Sequence, residues 1–142
     1  MLIYIINICR VFELMVTATT AGIKVCVSTD YQSDYSNPNQ VHHVFSYKIE
    51  IENHSNHAIQ VLRRHWFIDD ITYYTKEVEG EGIVGLQPTI EPGDTHRYVS
   101  TCVLKTGIGR MRGYYLVERV MDGKYFEVEI PEFQLVADYR LN

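Results

Sequence analysis

The chain has 142 residues, of which 46% are hydrophobic, 12% aromatic and 22% charged. Thirteen Lys and Arg against eighteen Asp and Glu leave a formal charge of -5, which disfavours general coating of a polyanion, so no nucleic-acid partner is expected. Eleven Tyr, five Phe and many Val and Ile are too apolar for a disordered chain, and the length suits one domain with one core.

The opening MLIYIINICRVFELM is apolar, but no Lys or Arg precedes the run, and Arg10 and Glu13 interrupt it. It falls short of the about 20 apolar residues a transmembrane helix needs, so no membrane partner is expected. The small residues Val16 to Ala21 mimic a signal-peptide cleavage site, which keeps a secretory leader as one reading. The favoured reading starts the protein at Met15, makes residues 1–14 an upstream extension, and places a single domain over 15–142 in the cytoplasm. Cys9, Cys26 and Cys102 are odd in number and form no C-x-x-C pair. Free buried thiols are expected, not a disulfide framework or a zinc site.

After residue 20, short alternating segments dominate, separated by Gly, Pro, Asn and Asp. Ile23 to Thr29 supplies a first strand. Tyr31 to Gln40 is polar and reads as a surface loop. Phe45 to Glu52 is the clearest strand, with Phe45, Tyr47, Ile49 and Ile51 on one face and Ser46, Lys48, Glu50 and Glu52 on the other. Ala58 to Asp69 reads as another strand, but both of its faces mix apolar and basic residues, so its inward face stays open; a bulge or a change of sheet would reconcile them. Ile71 to Thr75 is its expected hairpin partner, turning at Asp69-Asp70. Pro92-Gly93 marks a turn, and His96 to Leu104 alternates as a strand. Met111 to Met121 and Tyr125 to Ile130 form a hairpin around Asp122-Gly123, a type I′ signal. Seven or eight strands at this spacing imply an all-β sandwich.

Gly80-Glu81-Gly82-Ile83-Val84-Gly85 matches G-x-G-x-x-G, but the dinucleotide mechanism needs a helix after the glycines. Leu86-Gln87-Pro88 follows instead, and Glu77, Glu79 and Glu81 would repel a phosphate. The glycines are therefore expected to permit positive φ or close backbone approach, with a backbone-amide anion nest as the lesser alternative. His54 and His57 offer two metal ligands in a turn without a visible third, so no metal and no cofactor are expected. Cys102 lacks a nucleophile elbow, and no carboxylate pair stands out, so no catalytic residue is assigned. Trp66, the single tryptophan, is expected as a core anchor. Arg110 and Arg112 share a strand face, which offers either a local basic patch or, as the plainer reading, surface solubility and cross-strand pairing with Glu residues.

Several blocks together resemble the ApaG family. They are Phe45-x-Tyr47-x-Ile49-x-Ile51-x-Asn53, Arg64-His65-Trp66, Gly80-Glu81-Gly82-Ile83-Val84-Gly85-Leu86-Gln87-Pro88, Pro92-Gly93, Tyr98-x-Ser100, Met111-x-Gly113-x-Tyr115 and Phe126-x-Val128-x-Ile130-Pro131-x-Phe133. The likeness runs from about Ile23 to Leu135. It implies a fibronectin type III-like or immunoglobulin-like β-sandwich of seven to eight antiparallel strands, cytoplasmic in bacteria and without an established enzymatic activity. An older genetic name, CorD, ties the family to cobalt and magnesium sensitivity, and eukaryotic versions look like protein-interaction modules.

Together these point to a noncatalytic binding module with a protein partner of unknown identity. The candidate contact residues are Arg64, His65, Trp66, Gly80, Glu81, Gly82, Gly85, Gln87 and Pro88. A second reading binds a phosphate compound or a divalent ion at the glycine loop. A third, a hydrolase using Glu81 or His65, would require His65, Glu81 and Cys102 to meet in an open cleft. An exposed sandwich edge also offers a homodimer contact.

Overall fold

The structure, a computed structural model, describes residues 15–71 and 73–137. Expectations that fall on residues 1–14, including Cys9, lie outside the described residues. Nine strands form two antiparallel sheets, and no α-helix occurs among the described residues. The strands are β1 (Met15–Thr20), β2 (Ile23–Tyr31), β3 (His43–Asn53), β4 (Ile59–Asp70), β5 (Tyr74–Glu81), β6 (Thr89–Ile90), β7 (Thr95–Leu104), β8 (Ile108–Arg119) and β9 (Lys124–Val136). One sheet runs β1-β2-β3-β7. The other runs β5-β4-β8-β9, with β6 also pairing β4.

The count exceeds the expected seven or eight because the reading from sequence missed β1 and the two-residue β6. β1 folds back on β2 through Ala21 and Gly22, both at positive φ (50° and 80°), as a two-residue primed turn requires. Of Tyr31 to Gln40, read as a surface loop, Tyr31 ends β2 opposite Phe45, and the rest is a loop with two short 3-10 turns, Ser33–Tyr35 and Pro38–Gln40.

The alternation in β3 is realised as read: Phe45, Tyr47, Ile49 and Ile51 are buried. Facing them are Val61, Trp66, Met111, Tyr115, Val117, Val128, Ile130 and Phe133, and these close one core between the sheets. Trp66 is the anchor expected of it, edge-on to Tyr47 at 5.5 Å and to Phe133 at 5.9 Å between ring centroids. Each such aromatic pair adds about 0.5–1.5 kcal/mol beyond its buried area.

β4 carries a bulge. Val61 pairs with Val117, yet Arg63 pairs with Leu116, so Leu62 is an extra residue. The extra residue reverses the phase of the alternation. Ile59 and Val61 face the core before it, and Trp66 and Asp70 are buried after it. That reversal explains why neither face of Ala58 to Asp69 reads as purely apolar. A second bulge, between Met111 and Gly113 in the register of β8 with β9, falls beside Pro131, which has no N–H to give a ladder.

Two turns differ from expectation. The β4–β5 turn follows Asp70 instead of centring on Asp69-Asp70, because the buried Asp70 carboxylate is held by Lys105 N–H (2.6 Å), Thr106 N–H (3.1 Å) and the Thr106 hydroxyl (2.6 Å). The β8–β9 connection spans four residues, Val120 to Gly123, not two, and Asp122 turns back to bind Arg119. β5 also extends to Glu81, with Glu77 and Glu79 exposed on a strand face and not in a loop.

The sandwich is closed along one side and open along the other. β1 lies against β9, where Glu129 N–H donates to the Thr20 hydroxyl at 3.1 Å. Among the described residues β7 and β5 each have a single sheet neighbour along most of their length, and a cleft of about 370 Å³ opens between them.

Candidate functional site

The Leu62 bulge builds the site. Its displaced carbonyl accepts Gly82 N–H at 2.7 Å and the Gln87 side-chain amide at 3.0 Å. The Gln60 amide donates to the Gln87 carbonyl at 3.1 Å, and Val61 N–H donates to the Pro88 carbonyl at 3.0 Å. The chain between β5 and β6 is thereby fastened to β4 at both ends. Gln87 and Pro88, singled out from sequence, act as these fasteners.

Arg64 adds a third tie. It faces inward after the bulge, and its Nη1 donates to the carbonyls of Glu81 (2.9 Å) and Gly82 (3.0 Å). Its guanidinium lies over Gly80, its register partner: a Cβ there would sit 3.1 Å from both terminal nitrogens. Gly82 has φ +63°, and a Cβ on it would meet the Leu86 carbonyl oxygen at 2.3 Å. The expectation of close backbone approach at the glycines is therefore met at Gly80 and Gly82, and that of positive φ at Gly82 and Gly85.

At the tip, Ile83 N–H donates to the Leu86 carbonyl (2.8 Å) and Leu86 N–H to the Ile83 carbonyl (3.0 Å). Val84 and Gly85 between them have φ of 48° and 76°, the left-handed pair of a type I′ turn. Ile83 is buried as the anchor, while Val84 and Leu86 are 61% and 57% exposed. A β-branched residue in the left-handed region costs about 1–2 kcal/mol. The amides of Gly82, Ile83 and Leu86 are all bonded within the protein, so these three have nothing to donate to an anion. β6 follows the motif, where a dinucleotide site needs a helix.

Arg64-His65-Trp66 does not act as a block, because neighbours on a strand point to opposite faces. Arg64 touches the loop, Trp66 is core, and His65 lies on the outer face. There the His65 ring stacks on Phe67 (4.7 Å) and Tyr114 (5.0 Å). Its Nδ1 is 3.1 Å from both the Tyr114 hydroxyl and Glu79, with Glu77 3.8 Å from Nε2. Arg112 covers the Phe67 ring at 4.6 Å, and Arg110 pairs with Asp69 (2.6 Å) and Glu132 (3.7 Å). The basic patch is thus interleaved with carboxylates across the sheet.

Cys102 lines the inner cleft with Tyr47, Arg64, Trp66 and Lys76, while His65 points away on the outer face. The triad that a hydrolase reading needs does not assemble. Burial pushes the Cys102 thiol up to about 11, and burial with a bond to Glu52 does the same for Cys26; both are free. Among the described residues no three His, Cys, Asp or Glu side chains converge as a metal ion would require. No helix among them is long and apolar enough to cross a membrane.

The residues missed from sequence are Gln60, Leu62, Ile83, Val84 and Leu86. A signal was present for Leu62: apolar positions run Ile59, Val61, then Trp66, Ile68, which is a change of phase inside one strand.

The molecule is thus a two-sheet β-sandwich carrying a glycine turn buttressed on a bulged strand. The chain belongs to the ApaG family: the family model for the ApaG domain matches residues 33–119. A Protein ApaG from Brucella anthropi is 44% identical over 85% of this chain and 92% of its own length. One from Proteus mirabilis is 40% identical over 87% of this chain and 98% of its own. A crystal structure from Bordetella pertussis, of a protein described as ApaA, has a TM-score of 0.79 at 42% identity, covering 82% of this chain and 94% of that one.

Proposed function

We propose that this domain is a noncatalytic binding module that docks a protein partner through the turn at residues 82–88. The observation that carries the reading is Val84. It is β-branched, left-handed and exposed, where glycine would sit without strain. Local strain of this kind persists at sites where the side chain is used. Beside it Leu86 is a second exposed apolar contact, and Ile83, Arg64 and Gln87 hold the turn still. A preorganised turn loses little entropy on docking.

The test is quantitative crosslinking in the source cell with wild type, Val84→Asp and Leu86→Asp. Both changes sit at exposed positions, so the fold is kept and circular dichroism confirms it. Loss of the same crosslinked protein in both variants, by about tenfold or more as expected for a central contact, supports the reading. Unchanged crosslinks from two folded variants overturn it.

A further inference from the structure

A sandwich of two open sheets has four edge strands, and three of them here are protected. β1 and β9 lie against each other, joined by the Glu129–Thr20 bond. β5 carries Lys76, Glu77, Glu79 and Glu81, charges of the kind that keep an edge from pairing with another chain. β7 has no such protection. Among the described residues its only sheet neighbour is β3, and from Tyr98 to Leu104 it has seven residues with no charge, no proline and no bulge. Val99 and Val103, 58% and 50% exposed, stand on its outer face.

The segment is also self-complementary. With a two-fold axis at Thr101, antiparallel pairing sets Val99 against Val103 twice, Thr101 against itself, Ser100 against Cys102, and Tyr98 against Leu104. Every pair joins residues on the same face, as the pleat demands. Cross-strand β-branched pairs stabilise such a ladder by about 0.2–1 kcal/mol each. Beyond the paired stretch Arg97 would oppose Lys105, like charges that lie outside the ladder and that each have a partner within the chain. Arg97 is bonded to Glu50 at 3.3 Å, and the Lys105 ammonium is drawn over the rings of Tyr73 and Tyr74 at 5.2 and 5.8 Å.

We propose that the β7 edge is a homodimer interface, in which two copies pair antiparallel through residues 98–104 and join two four-stranded sheets into one of eight. This stands apart from the reading of the 82–88 turn, which lies on the other sheet. One short ladder makes a small contact, so the dimer is a weak one.

Sedimentation velocity from about 10 μM to 1 mM reads it directly. Wild type is expected to rise from monomer to dimer across that range. Val99→Lys/Val103→Lys, which places like charges opposite each other at exposed positions, is expected to weaken association at least tenfold. Glu79→Lys on the β5 edge is expected to leave it unchanged. Register is read by Thr101→Cys, which is expected to form a disulfide-linked dimer on mild oxidation, while Thr95→Cys is not. A wild type that stays monomeric throughout overturns the proposal. So does a dimer that survives the double lysine change, or one that crosslinks equally well at 95 and 101.

Discussion

Replacing Gly82 with alanine isolates the contribution of the turn's closest backbone approach. The added Cβ would lie 2.3 Å from the Leu86 carbonyl oxygen, on a residue at φ +63°. The left-handed backbone costs an L-residue about 1–2 kcal/mol. The overlap adds to it, because the Leu86 carbonyl must move by about an ångström to reach a normal contact, and it is the acceptor of Ile83 N–H at 2.8 Å. Losing that bond costs a further about 0.5–1.5 kcal/mol. The sum, about 1.5–3.5 kcal/mol, is a large part of an ordinary domain's stability. At this chain length it lowers Tm by about 5–12 °C. Gly85→Ala is the matched control, since Gly85 is also left-handed (φ +76°) but a Cβ there meets nothing within 4 Å. Its cost is the backbone share alone, about 1–2 kcal/mol. Thermal and urea unfolding of the two variants measure the difference. Equal destabilisation would show that the Leu86 contact contributes nothing and would refute the account of the turn.

Arg64→Gln removes the two bonds to the Glu81 and Gly82 carbonyls. We expect a loss of about 1–2 kcal/mol, with amide exchange speeding up at Gly82 and Ile83 while β3 amides stay protected. Burial lowers the pKa of His96 from its usual 6.5, so the folded state prefers the neutral ring. Its contribution is therefore present above pH 6.5 and is lost as the pH falls through the lowered value. His96→Gln should flatten the decline of urea-measured stability between pH 7 and pH 5; an unchanged slope would place the proton uptake elsewhere. Cys26 and Cys102, each raised to about 11, hold roughly a thousandth of their thiol as thiolate at pH 8. Mass spectrometry after brief iodoacetamide treatment should find both unmodified in the native protein and both alkylated in urea.

The strands were legible where one face alone is apolar. Phe45, Tyr47, Ile49 and Ile51 alternate with polar residues, and only a strand with its odd positions inward can bury all four. Trp66 was legible as an anchor for a similar reason: a large ring in a β-rich stretch has no better place. The glycine motif was legible in the negative, because no helix pattern follows Gly85. β5 was harder to read, because Glu77, Glu79 and Gly80 look like loop residues until Arg64 and the β4 ladder are there to hold them.

The one-dimensional order of apolar and polar residues determined that this chain makes a two-sheet sandwich, since period-two burial is a local property of each strand. It also determined that the glycine segment is a turn and not a phosphate cradle. Which residues that turn rests on was decided only in three dimensions. The Leu62 bulge changes the phase of β4, turns Arg64 inward against Gly80 and sends His65 to the opposite face. A bulge depends on how two strands, far apart in the chain, share their hydrogen bonds, and no local pattern contains that register.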